Sequence, residues 1–162
     1  MAAAGVAVSV FLYALGVYII SGFGLFAIIL YLIYCVSVEI SILRRSCIHC
    51  TYYGNLCGLG RGKLCALLFR RGNPQWFGER QVSWKDILPD LMVPLIPLAG
   101  GTFLLTRQFD WAVACAMVLV ILVTTFGNAA VRGSLACKYC KQRELGCPAE
   151  RLFRKDRAES TS

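Results

Sequence analysis

The sequence predicts an all-α membrane protein whose four transmembrane helices form two parallel-repeat hairpins, with both termini in the cytosol. Three observations predict it. The 162-residue chain is 57% hydrophobic and 16% charged, whereas a soluble domain is nearer half apolar with about a quarter of its residues charged. Its apolar residues gather in long uncharged runs, the pattern of membrane spans. Of the 17 lysines and arginines, all but Arg107 fall between Arg44 and Lys85 or between Arg132 and Arg157.

The elements follow in order. Residues 2–38 carry no charge, and one span needs roughly 20 apolar residues, so this run holds two. Ser21-Gly22-Phe23-Gly24 near its middle is turn chemistry, which places helix one at about Ala3–Ile20 and helix two at about Phe23–Leu43. A third span runs from Leu91 to Thr106 and a fourth from Trp111 to Val131, with Arg107–Asp110 as the polar hairpin between them. The organisation is therefore a transmembrane hairpin at 1–46, a cytosolic loop at 47–90, a second hairpin at 91–131 and a cytosolic tail at 132–162. The beginning lacks the positive n-region of a secretory signal and reads as a retained helix. Trp76, Phe77, Trp84, Ile87 and Leu88, set among charges between Asn73 and Asp90, predict a short amphipathic segment on the membrane surface. Pro94, Pro97, Gly100 and Gly101 kink span three, with packing as their main role. Gly5 and Gly16 permit close approach to span one.

The positive-inside rule puts both basic segments and the N-terminus in the cytosol of a cell membrane. The net charge of +8 is then mainly a topology signal. Its partner is the lipid bilayer, whose anionic headgroups attract about 1 kcal/mol per nearby Lys or Arg. No nucleic-acid partner is expected, and a protein partner or a second copy of the chain is left open.

Nine cysteines carry the chemistry. Cys47-Ile48-His49-Cys50 is followed by Cys57, and Cys137-Lys138-Tyr139-Cys140 by Cys147. Both stretches read C-x2-C-x6-C, 90 positions apart, and the same offset lays span three on span one and span four on span two. Leu68-Phe69-Arg70-Arg71 matches Leu152-Phe153-Arg154-Lys155 at an offset of 84, so the first half holds six extra residues after Cys57. The pattern predicts a duplication with a pseudo-twofold axis along the membrane normal, which brings the two motifs together beneath the bundle. The cytosol disfavours structural disulfides, and a repeated C-x2-C there reads as a metal site. Two intervening residues let a tight turn aim both sulfurs at one ion. Thiolates hold zinc tetrahedrally or an iron–sulfur cluster.

The candidate metal ligands are thus Cys47, Cys50, Cys57, Cys137, Cys140 and Cys147. Six shared cysteines can hold two metals; two C-x2-C pairs can hold one; or each half binds separately with three cysteines and one further ligand. His49, the only histidine, faces a tyrosine at the repeat position and reads as an outer or surface residue. Cys35 and Cys115 lie within spans and read as small apolar packing. Cys65 reads the same way, with a ligand role as its lesser alternative.

The six-cysteine spacing resembles the fungal two-zinc, six-cysteine DNA-binding cluster. That resemblance implies bridging roles for Cys47 and Cys137 and terminal roles for Cys50, Cys57, Cys140 and Cys147. It covers two stretches of 11 residues and concerns ligand geometry only. Two spans intervene where the family has a short loop, and Thr51-Tyr52-Tyr53-Gly54 stands in place of its basic helix. Cys47, His49, Cys50, Tyr52, Tyr53 and Gly54 also resemble a group of uncharacterised small prokaryotic integral membrane proteins with Cys-x-His-Cys followed by Tyr-Tyr-Gly.

Other chemistry is sparse. There is no Ser-His-Asp set, so the reading leans away from an enzyme. Gly60-Arg61-Gly62-Lys63 lacks P-loop spacing and reads as a lone glycine-basic turn. Glu39 lies within about two turns of Arg44 and Arg45, so it is expected in an interfacial ion pair, not in an ion path. Ser37, Ser41, Thr124 and Thr125 are expected at helix–helix contacts. The function class that follows is a membrane-anchored cytosolic metal site, zinc or iron–sulfur, with a structural, sensing or electron-transfer role. The alternatives are a membrane thiol–disulfide oxidoreductase and a soft-metal transporter.

Overall fold

The computed structural model of the chain describes residues 2–55, 57, 61–74, 76 and 84–127. Its first helix, α1, is Ala2–Ile20 and carries no charge. A 3-10 turn at Ser21–Phe23 follows, in which the Ser21 hydroxyl donates to the Tyr18 carbonyl at 2.6 Å. Gly24 then reverses the chain at φ +94°, a backbone region that only glycine enters without strain. Helix α2, Leu25–Arg45, ends on Arg44 and Arg45, which favours the negative end of the helix dipole.

Helix α3 is Arg61–Leu68. Helix α4 is Trp84–Arg107 and contains Pro89, Pro94 and Pro97. Helix α5 is Trp111–Leu122, capped by the Asp110 carboxylate, which accepts from the Ala112 N–H at 2.8 Å, and continued by a π-helical turn at Val123–Gly127. Three stretches, Gly5–Phe23, Leu25–His49 and Asp86–Arg107, are long and apolar enough to cross a membrane. The expected fourth span is described only as far as the shorter apolar helix Trp111–Gly127; residues 128–131 and the tail after them lie outside the described residues.

Large apolar side chains face outward along these helices, among them Val10, Phe11, Leu25, Phe26, Ile33 and Phe103. In water such a surface would be an aggregation liability; against lipid tails it is the complementary one. Helix α1 packs against α2, α4 and α5. One core cluster joins Ile20, Tyr31, Cys35, Val38 and Val93; the other joins Ile19, Ala116 and Val120. Glycines set the helix spacing: a Cβ at Gly16 would meet the Tyr31 hydroxyl at 2.3 Å, and one at Gly101 would meet Met117 Sδ at 2.7 Å.

Tyr31 also explains how a proline-rich helix survives in the bundle. Pro97 has no N–H, so the carbonyl four residues earlier, that of Val93, loses its helical partner. The Tyr31 hydroxyl donates to that carbonyl at 3.1 Å. The neighbouring Tyr34 hydroxyl donates to the Pro89 carbonyl at 2.8 Å. A membrane helix tolerates proline where a neighbour supplies such a donor.

Three local expectations are corrected. Trp84, Ile87 and Leu88 belong to α4, which starts well before Leu91; Asp86 in its first turn suits the positive helix end and pairs with Arg45 at 2.8 Å. Ser37 and Thr125 are exposed and donate to the Ile33 and Ile121 carbonyls of their own helices, both at 2.7 Å. A hydroxyl in apolar surroundings is satisfied most directly this way. Cys115 is exposed on α5, whereas Cys35 is buried as expected.

Candidate metal centre

The loop after α2 builds the first motif from a series of short backbone bonds. The Ser46 N–H closes α2 on the Ile42 carbonyl at 2.9 Å, and a 3-10 turn at Cys47–His49 follows. The Cys50 N–H donates to the Cys47 carbonyl at 3.3 Å, so the C-x2-C segment is the tight turn its spacing implies. Two further turns, Tyr53 N–H to Cys50 carbonyl at 3.1 Å and Asn55 N–H to Tyr52 carbonyl at 3.0 Å, carry the chain towards Cys57.

This loop lies directly on the first turn of α3. The Gly54 N–H donates to the Gly62 carbonyl at 3.1 Å. A Cβ on Gly62 would stand 2.3 Å from the Asn55 carbonyl oxygen and 2.5 Å from that of Tyr52. Glycine is needed there because both neighbours are backbone. The chain after α3 returns beneath the turn: the Tyr53 hydroxyl donates to the Phe69 carbonyl at 2.7 Å, and the Gly72 N–H to the Ile48 carbonyl at 2.9 Å.

His49 is held by this returning segment. Its Nδ1 lies 2.9 Å from the Asn73 carbonyl oxygen, and its ring stacks on Trp76 at 6.2 Å. Both contacts come from outside the cysteine turn.

Cys47, Cys50 and Cys57 are half-buried, and Cys65 on α3 is fully buried. The Cys65 thiol lies 3.8 Å from the Leu43 carbonyl oxygen. Burial pushes the Cys47 thiol up to about 12; Cys65 adds to the rise, Arg61 opposes it, and Cys57 and Cys50 add further. Burial likewise raises Cys65, with Cys50 contributing. None of the described cysteines is in a disulfide. Among the described residues, no three His, Cys, Asp or Glu side chains converge closely enough to hold a metal ion. Cys137, Cys140 and Cys147 lie outside the described residues, so the meeting of the two motifs lies there too.

Beneath the loop sits an ion pair. Arg61, the first residue of α3, reaches into the bundle and pairs with Glu39 of α2, which also accepts from the Tyr13 hydroxyl of α1. Burial works against the Arg61 charge, but Glu39, Tyr13 and Asp90 outweigh it and hold the guanidinium above its usual range. The pair borders a cavity of about 140 Å³ lined by Ser9, Tyr13, Arg61, Asp90, Pro94 and Thr124 with apolar neighbours.

The chain matches no protein-family model, no curated protein and no solved structure. Its site is therefore argued from its own residues. Glu39 is ion-paired, as expected, but its partner is Arg61 and not the nearer Arg44 or Arg45. The segment 60–63 is no isolated turn either: Arg61–Lys63 is the start of a helix. Sequence reading missed this because Arg61 lies 22 positions from Glu39. The available signal was the glycine after it, which lets a loop approach the helix.

Proposed function

We propose that this chain is a four-span integral membrane protein carrying a soft-metal site, zinc or an iron–sulfur cluster, built from its two C-x2-C-x6-C motifs on the cytosolic face. The observation that carries the reading is the first motif's geometry. Cys47 and Cys50 close one tight turn, and the loop that carries them is pinned to the bundle through α3. Such a turn aims two sulfurs to one side, as tetrahedral thiolate coordination requires. The repeat of the same spacing supports a second half-site under the same face, with the halves related by an axis along the membrane normal. The metal then acts as a clamp between cytosolic segments, as a sensor or as an electron-transfer centre. No side chain is assigned a catalytic role. A redox enzyme of the C-x2-C type needs a thiol of depressed pKa, and the surroundings of Cys47 push the other way.

The test is elemental analysis of protein purified anaerobically in mild detergent without a histidine tag. Zinc or iron in simple ratio to the chain, lost in Cys50→Ser, supports the proposal. A metal-free chain with reactive thiols or reversible disulfides overturns it. Labelling of the same cysteines by a membrane-impermeant maleimide only after cell lysis supports the cytosolic orientation; labelling of intact cells overturns it.

A further inference from the structure

We infer that the cavity between α1, α3 and α4 binds the zwitterionic headgroup of a phosphoethanolamine lipid, with Arg61 on its phosphate and Asp90 on its ammonium. The cysteines, and any metal they hold, take no part in it.

The wall of this cavity carries both signs of charge. Arg61 lines it from the start of α3, and Asp90 from the second turn of α4. A guanidinium has five N–H donors in a fixed fork. Among the described residues, Arg61 commits Nη2 to Glu39, and Asp90 stands near enough to act on the same charge. A lone anion on Arg61 would meet both carboxylates, and a lone cation on Asp90 would meet the guanidinium. A ligand that brings a negative and a positive group together satisfies both sides at once. The hydroxyls favour the same ligand. Ser9 donates to the Gly5 carbonyl at 3.2 Å, and Tyr13 donates to Glu39, so both offer lone pairs, not protons, to whatever enters. Lone pairs suit a primary ammonium, whose N–H groups only donate.

The position of the cavity points to a lipid as the source. Ile87 and Leu91 of α4 line it and are also exposed, so it reaches the apolar outer surface of the bundle. Asp90 lies about 6 Å along the helix from Asp86, where the apolar stretch Asp86–Arg107 begins. The headgroup layer on each side of the hydrocarbon is about 5–8 Å deep, which sets the charged wall at headgroup level. The volume of about 140 Å³ equals four or five waters at about 30 Å³ each. That holds a small headgroup and leaves the acyl chains outside, along Ile87 and Leu91.

The experiment is native mass spectrometry of the full-length protein, delipidated in detergent and titrated with lipids of matched chains: phosphatidylethanolamine, its N-methyl and N,N-dimethyl derivatives, phosphatidylcholine and phosphatidylglycerol. One phosphatidylethanolamine should be held at least about tenfold more tightly than phosphatidylcholine, the worth of a hydrogen bond to a charged group, with affinity falling at each added methyl. Phosphatidylglycerol, which has the phosphate without the ammonium, should bind as weakly as phosphatidylcholine. Asp90→Asn should bring phosphatidylethanolamine down to that same level. Equal retention of all the lipids by the wild type, a preference for phosphatidylglycerol, or an unchanged preference in Asp90→Asn overturns the site. Soluble O-phosphoethanolamine separates the two sources of this headgroup. If it displaces the lipid only at far higher concentration, the lipid source is supported; if it binds while no lipid is retained, the lipid source is overturned. Should Asp90→Asn fail to fold, the methylation series on the wild type decides: a flat series refutes the site.

Discussion

Replacing Arg61 by alanine leaves the Glu39 carboxylate inside the bundle with, among the described residues, only the Tyr13 hydroxyl. Breaking a fully buried ion pair from one side costs about 3–5 kcal/mol. Here the side chains of Arg61 and Glu39 keep 16% and 22% of their exposure, so the cost falls to the bottom of that range or just below it, about 2–3 kcal/mol after partial solvation. In a chain of 162 residues this amounts to a melting temperature lower by roughly 5–10 °C. The assay is thermal unfolding in mild detergent followed by tryptophan fluorescence, with alkylation of Cys65 as a local reporter of α3. Glu39→Gln and the double variant complete a cycle, in which a coupling of about 1–2 kcal/mol is expected. Arg45→Ala is the internal control. Its pair with Asp86 leaves Arg45 56% exposed, and such pairs contribute about 0.5 kcal/mol or less. If Arg61→Ala behaves like Arg45→Ala and Cys65 stays unreactive, the pair does not hold α3 and the account of the loop fails.

Tyr31→Phe should destabilise the bundle by about 1–2 kcal/mol, since the Val93 carbonyl loses its donor next to Pro97; an unchanged melting temperature would show that the carbonyl finds another partner. Gly62→Ala should open the loop despite alanine's better helix propensity, read as faster alkylation of Cys65, because a Cβ meets two carbonyl oxygens at 2.3 and 2.5 Å. Metal-free Cys47 should react with maleimide at pH 8 about a thousandfold more slowly than an ordinary thiol, its pKa being raised from 9.0 to about 12, because only the thiolate reacts. The sign for stability follows. A folded-state value above the unfolded one makes the Cys47 contribution full below about pH 9 and lost as pH rises towards 12, so Cys47→Ala should flatten the alkaline limb of a stability–pH profile.

The long apolar runs made the helices legible, because span length and charge exclusion are properties of contiguous sequence. The turn at Ser21–Phe23 and the end of α2 were legible for the same reason, being marked by Gly24 and by Arg44-Arg45. The start of α4 was not. Charges and tryptophans before Leu91 read as an interfacial segment, yet Asp86 finds Arg45 across the bundle and the helix runs on through Pro89. At the site, the C-x2-C turn was written in its spacing, since its hydrogen bonds are local. The partner of Glu39 was not, because pairing across 22 positions depends on where α3 docks. Cys65 was legible as packing: in sequence it is one apolar position among Leu64, Ala66 and Leu67, and in the structure it is fully buried against the end of α2.

Helix α3 is where these threads meet. Eight residues are too few to be helical on their own. What fixes it is tertiary: Arg61 on Glu39 at its first residue, Cys65 against the end of α2 one turn later, and the 52–55 loop laid across Gly62. The cysteine loop therefore owes its order to the membrane-embedded part of the protein. A metal held by the cysteine loop, as proposed above, would stabilise the loop that rests on Gly62 and with it the helix that positions Arg61. By linkage, the ion pair and the metal must then strengthen one another by equal amounts. Cobalt affinity measured in Glu39→Gln should fall by the same factor by which cobalt raises the coupling of Arg61 to Glu39, and equal cobalt affinity in wild type and Glu39→Gln would separate the loop from the bundle it rests on.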